Sequence, residues 1–261
     1  MTNFKRPVFD FSGKSVLITG GTSGMGAASA LAFAQSGADV VIAGRNQVRA
    51  KALLERLSAF GHQTHFIAGD ITQAEYCQVL LDETSERVGV PDIVVNCAGV
   101  IYHATADCTT DEQWLDTFNV NVHGMFYVCR AAIPKMRNRG DGVIINIASD
   151  AGLTGSHHLV AYCASKGAVL QMTRAMAKDH ARDGLRIVAI CPGDVDTEML
   201  RGEFRDRGIS AVQGLAESAA GVPLNRVCSV EEIADTVLFA ASDSARFITG
   251  YPLVVDGGSR A

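Results

Sequence analysis

SVLITGGTSGMGAASALAFA, residues 15–34, runs from a β-branched apolar stretch through clustered glycines into an alanine-rich stretch. The order reads as strand, tight turn, helix. Glycines at 20, 21, 24 and 26 let the backbone approach a pyrophosphate. The N-terminus of the following helix adds free N–H donors and a positive dipole. A glycine turn can also join strand to helix and bind nothing, so the motif alone is ambiguous. Its context, strand before and helix after, is the one that nucleotide binding requires. The spacing is TGxxxGxG, not GxGxxG.

Six more runs of the first kind occur along the chain: DVVIA (39–43), THFIA (64–68), DIVVN (92–96), GVIINIA (142–148), LRIVAI (185–190) and PLVV (252–255). Near-continuous apolar runs of this length predict a sheet buried on both faces, hence a parallel one. Stretches with helical spacing separate them. Within 111–138, Phe118, Val122, Phe126, Cys129, Ile133 and Met136 fall on one predicted buried face. The alternation predicts one doubly wound (Rossmann) α/β domain over 1–261, with about seven parallel strands and helices on both faces. Only 194–222 resists assignment. It mixes charges, glycines and short amphipathic pieces, and reads as a substrate lid.

Composition narrows the function. A net charge of −5 without any basic cluster argues against nucleic acid. No apolar run approaches the roughly 20 residues of a membrane helix, and the N-terminus lacks the apolar core of a signal peptide. Seven cysteines without a CxxC pair read as small core residues in a reducing, cytoplasmic setting. No metal site is expected, because the adjacent His157 and His158 cannot readily converge on one ion. His62 and His65 read as a solvated loop and strand edge, and Trp114 as a core or interface residue.

AYCASKG, residues 161–167, places Tyr162 and Lys166 on one helix face. A free phenol titrates too high for proton exchange near neutrality. An ammonium about 4–5 Å away, at an effective dielectric of about 20, favours phenolate by about 4 kcal/mol. That is enough to bring the phenol toward the working range. Tyr162 is thus a candidate acid or base at a carbonyl or carbinol oxygen. Ser149 ends the fifth run, where a crossover can bring its hydroxyl to the same crevice to position a substrate oxygen.

The ordered set now extends across the chain: TGGTSGMG, Asn96-Cys97-Ala98-Gly99, NVNVHG, NIASDAG, YCASK, PGDVDT, PLNR and the closing ITG…VDGG. It resembles the short-chain dehydrogenase/reductase family in its single-domain form, from about Phe11 to Gly258. The resemblance implies a catalytic set of Asn121, Ser149, Tyr162 and Lys166, with Asn121 preferred over Asn119 because NVHG fits Asn-x-x-Gly. In the family this asparagine accompanies a local helix distortion. The implied cofactor contacts begin in the glycine turn, at Gly20, Thr22, Ser23, Gly24, Met25 and Gly26. They continue through Arg45, Asp70, Ile71, Asn96, Ala98 and Gly99 to Tyr162, Lys166, Pro192, Gly193, Val195 and Thr197.

Gly44 stands where an NAD enzyme would carry a carboxylate for the ribose hydroxyls. Arg45 beside it suits a 2′-phosphate, so NADP(H) is preferred, with NAD(H) possible. The family's second basic residue, within the glycine loop, is missing, for Thr22-Ser23 is neutral. Asp70 would hold the adenine amino group, or else cap the next helix. Expected substrate contacts are Ser149, Asp150, His157, Tyr162 and Met199, with Leu200 completing an apolar wall and His158 a further candidate. Asp150 could instead cap a turn.

These readings predict an NAD(P)(H)-dependent oxidoreductase interconverting a small-molecule secondary alcohol and a ketone. Two alternatives remain: a 3-oxoacyl thioester reductase of fatty-acid type, or a cofactor-binding regulator without turnover. The resemblance also implies a homo-oligomer, tetramer or dimer, joined through 111–138 and 159–182.

Overall fold

The computed structural model describes residues 9–261; the segment MTNFKRPV, part of the N-terminus expected to lack a signal peptide, lies outside them. Seven strands form one parallel sheet: β1 Ser15–Thr19, β2 Asp39–Gly44, β3 Thr64–Ala68, β4 Ile93–Asn96, β5 Gly142–Ile147, β6 Leu185–Pro192 and β7 Pro252–Val255. Their order is β3-β2-β1-β4-β5-β6-β7. Each strand falls on its predicted run. The order reverses between β1 and β4, where Thr19 pairs with Asn96, so a crevice opens beyond their carboxyl ends.

Alternate residues of each strand serve opposite faces. Val16, Ile18, Val40 and Ile42 pack with Phe33, Leu53 and Val237. These belong to α1 (Gly24–Gln35), α2 (Gln47–Leu57) and α9 (Val230–Ala241). Leu17, Val41 and Ala43 pack with Leu80, Val128, Met136 and Val169. These belong to α3 (Ala74–Val88), α5 (Met125–Arg139) and α6 (Val160–His180). Two-sided burial leaves the strands almost no polar face, which is why they read as continuous apolar runs.

The predicted face of 111–138 needs correction. The segment is not one α-helix: α4 (Asp111–Phe118) passes into a π turn, Asn119–Gly124, before α5. A π turn inserts an extra residue and so rotates α5 relative to α4. Met125, Val128 and Ala132 therefore join the predicted Val122, Cys129, Ile133 and Met136 in the core, while Phe126 is exposed and Phe118 only half-buried. Trp114 is not in the core either. It is 40% exposed and stacks on Phe118 at 4.7 Å. His65 is half-buried, with Nε2 enclosed, and His62 is exposed.

The interval 194–222 is largely helical, with α7 (Glu198–Asp206) and α8 (Ala211–Ala220). Thr197 and Ser210 cap them, accepting from the Leu200 and Gln213 N–H groups. Charges and glycines hid these helices because each is short and mostly solvated. No helix among the described residues is long and apolar enough to cross a membrane.

Candidate active site

At the carboxyl ends of β1, β2 and β4 lies a cavity of about 520 Å³. Gly20, Thr22, Ser23, Arg45, Asp70, Ile71, Ala98 and Gly99 line it, as expected for cofactor contacts. The turn is shaped by missing side chains. Gly20 has φ +64°, and a Cβ there would lie 2.6 Å from the Ala98 nitrogen. Gly26 does not line the cavity but sits beneath it; its Cβ would meet the Gly20 carbonyl oxygen at 2.4 Å. Backbone cradle, helix N-terminus and elongated crevice fit a dinucleotide.

The sheet end also separates the expected contacts. Asn96 does not line this cavity. Its amide donates to Asn146 Oδ1 at 2.9 Å, in a buried network that continues from Asn146 to Thr173. Asp70 is no helix cap, since α3 begins four residues later behind Gln73. Its carboxylate accepts the Thr72 N–H and stands 3.9 Å from Arg45. A second cation does line the crevice: Arg49, in the first turn of α2, which the sequence reading missed. The signal was its place four residues after Arg45, with Asn46 capping the helix onto its N–H.

Asn121 lies buried in the π turn. It accepts the Val100 N–H at 2.8 Å and donates to the Val100 carbonyl and to Ser165 Oγ. Asn119 is exposed and bonds His123. Lys166 is buried, donates to the Ile147 carbonyl at 2.8 Å, and lies 5.5 Å from the Tyr162 ring centre. The simple electrostatic expectation fails here. Burial pushes the Tyr162 phenol up to about 12, against a smaller lowering by Ser149, and pushes the lysine down to about 8. Desolvation penalises both charged forms at once. Lys166 is committed to a backbone carbonyl and does not offset the cost to the phenol.

A second cavity, of about 270 Å³, collects Ser149, Asp150, His157, Tyr162 and Met199. Met25, Pro192, Gly193, Val195 and Thr197, expected as cofactor contacts, line it too, so it adjoins the cradle. His158 does not. It holds φ +57°, and its carbonyl accepts the Ala104 N–H. Five polar groups here escaped the sequence reading: His103, Ser156, Asp194, Glu203 and Arg260. Asp150 neither caps the turn, whose cap is Ser149, nor stands free. It accepts Ser149 Oγ at 3.1 Å and Arg260 Nε at 3.0 Å. Glu203 on α7 meets His103 Nε2 at 3.1 Å. Asp194 is solvent-accessible, yet the protein around it raises its carboxyl above the ordinary range, and Glu203 and Asp150 add to the rise.

A nucleotide cradle beside a polar cavity holding a tyrosine and a serine defines an oxidoreductase on a dinucleotide-binding frame. A protein-family model described as enoyl-(acyl carrier protein) reductase matches residues 20–260. L-fucose dehydrogenase of Mus musculus is 38% identical over 95% of this chain and 89% of its own. Meso-2,3-butanediol dehydrogenase of Serratia marcescens is 35% identical over 96% of each. A crystal structure of a variant actinorhodin polyketide ketoreductase with NADPH superposes with TM-score 0.90, at 31% identity over 94% of this chain and 97% of that one. The chain belongs to the short-chain dehydrogenase/reductase family. It is an NAD(P)(H)-dependent oxidoreductase acting on alcohols and ketones.

Proposed function

We propose that this is an NADP(H)-preferring enzyme interconverting a secondary alcohol and a ketone, with Tyr162 as the proton donor or acceptor. One observation carries the reading. Tyr162 and Ser149 open onto one cavity beside the cradle, while Lys166 and Asn121 are packed behind them. The nicotinamide, when bound, supplies or accepts the hydride; the remaining work falls to the chain. Ser149 Oγ, which accepts the Ala151 N–H at 3.1 Å, turns its proton to the substrate oxygen and holds it by the phenol.

With its pKa raised to about 12, Tyr162 is protonated near neutrality and so holds the proton that ketone reduction consumes, as a weaker acid than a free phenol. Oxidation needs the phenolate and is favoured as pH rises. Lys166 borders the crevice 3.7 Å from where a Gly99 Cβ would stand, within reach of a ribose. Arg45 and Arg49 supply the charge for a 2′-phosphate where Gly44 offers no carboxylate. The remaining readings complete the proposal: a cytoplasmic, single-domain protein with 194–222 as lid. It forms a homo-oligomer, tetramer or dimer, and the exposed Trp114, Leu115 and Phe126 on α4 and α5 support this.

The test is Tyr162→Phe. Loss of the proton donor should lower kcat by about 10²–10⁴-fold on any active ketone, while NADPH still binds, as read by its fluorescence. A variant retaining full activity overturns the mechanism.

A further inference from the structure

The cavity onto which Ser149 and Tyr162 open carries more acidic residues than arginines or lysines. Three acidic residues, Asp150, Asp194 and Glu203, line it with one arginine, Arg260. That arginine is already occupied: its Nε serves Asp150 and its Nη2 serves Ser156 Oγ at 3.3 Å. Glu203 is matched to His103. Asp194 has no ion-pair partner among the described residues; Ser218 donates a hydrogen bond to its carboxylate, which leaves further acceptor sites on the two oxygens, and its position is fixed. Its carbonyl accepts the Cys228 N–H at 3.0 Å, and Val195 bridges to Cys228.

Three substrate types meet this lining differently. An anion, such as a hydroxy acid or a phosphate-bearing thioester, faces three carboxylates and an arginine with little left to give. A hydrocarbon frame would strip water from Asp194, Glu203 and His103 and return no hydrogen bonds. A neutral compound with several hydroxyls does neither. Its O–H groups donate to carboxylates, a charge-assisted bond that replaces the lost water. Its C–H surface suits the remaining lining, Ile101, Leu159, Met199 and Leu200.

We propose that the substrate is a neutral polyhydroxylated compound, a vicinal diol or sugar. One hydroxyl carbon is oxidised while another hydroxyl donates to Asp194. This rests on the dehydrogenase reading of the same site. In the oxidative direction the reacting carbinol loses hydride to the nicotinamide cofactor and its hydroxyl proton to Tyr162, and the product is a hydroxy-ketone. Asp194 binds and selects; it takes no part in the redox step.

The test compares cyclohexanol, cis- and trans-1,2-cyclohexanediol, an aldohexose and the 3-hydroxybutyrate anion, with both nicotinamide cofactors, by reduced-nicotinamide absorbance. At least one diol or the sugar should exceed cyclohexanol in kcat/KM by about tenfold, the scale of one hydrogen bond to a charged group. Hydroxybutyrate should fall below cyclohexanol. Asp194→Ala should lower the ratio of diol to cyclohexanol kcat/KM by about tenfold, and Asp194→Asn should restore part of it. Cyclohexanol or hydroxybutyrate turning over best, or a ratio unmoved in both variants, overturns the proposal. If either variant melts at low temperature, the wild-type ranking decides alone. A wild type that turns over none of these, nor cyclohexanone in reverse, while binding NADPH, would instead defeat the dehydrogenase mechanism. Cyclohexanone reduction abolished by Tyr162→Phe, without any diol preference, would leave that mechanism standing and remove only the substrate class.

Discussion

The two cavities are built by opposite means. The cofactor crevice is shaped by what is missing: glycines at 20, 44, 69 and 99, Ala98, and a helix N-terminus. The substrate cavity is shaped by what is present: charged and apolar side chains from the loop after β4, the turns after β5 and β6, helix α7 and the chain's end. A backbone cradle recognises a constant group and tolerates little change. A cavity of side chains can be altered one residue at a time, and each alteration should move specificity more than folding. The comparison can be broken wherever a cradle glycine proves dispensable or a cavity side chain proves structural.

The strongest challenge is Gly26→Ala. The added Cβ would lie 2.4 Å from a backbone oxygen, 2.9 Å from its carbon and 3.1 Å from Gly21 Cα, none of which can rotate away. Overpacking of this kind costs up to about 3 kcal/mol, so NADPH affinity should fall about a hundredfold and Tm by up to about 10 °C. Fluorescence titration and a thermal melt measure both, and wild-type affinity would show that the turn yields.

Next in size is the pair Arg45→Ala with Arg49→Ala. Arg45 is 70% exposed, so each arginine is worth only about 1 kcal/mol. Removing both should lower the NADPH-to-NADH ratio of kcat/KM about thirtyfold. An unchanged ratio would remove the side-chain contribution from the cofactor half.

The same contrast explains what the sequence disclosed. All seven strands were legible because burial on both faces leaves uninterrupted apolar runs. The glycine turn, Ser149, Tyr162 and Lys166 were legible because each lies in a short local pattern. Arg260 and Asp150 are 110 positions apart, and His103 and Glu203 are a hundred apart. Only the sheet's topology brings them together. The π turn at Asn121 was legible only through the family resemblance, which implied a helix distortion there; its extra residue broke the helical period, so Phe126 was counted inside when it lies out. The phenol's pKa was misjudged because a sequence shows a neighbouring lysine but not the burial that outweighs it.

The smallest effect expected is also the finest probe of the substrate half. Arg260, one residue from the end, is held by its own N–H to Asp256 Oδ2 at 2.9 Å and reaches Asp150. Asp150 Oδ1 in turn accepts the Ser149 hydroxyl. Without the guanidinium, the carboxylate becomes a stronger acceptor and keeps Ser149's proton from the substrate oxygen. The pair is partly exposed, at 33% and 14%, so about 1 kcal/mol is at stake. Arg260→Ala should therefore lower kcat/KM about fivefold while Tm stays within about 2 °C, and Arg260→Lys should recover part of the loss. A fall in Tm with unchanged kinetics would make Arg260 a tether for the chain end. The kinetic loss alone would make it the residue that weakens Asp150 as an acceptor, so that Ser149 releases its proton to the substrate oxygen.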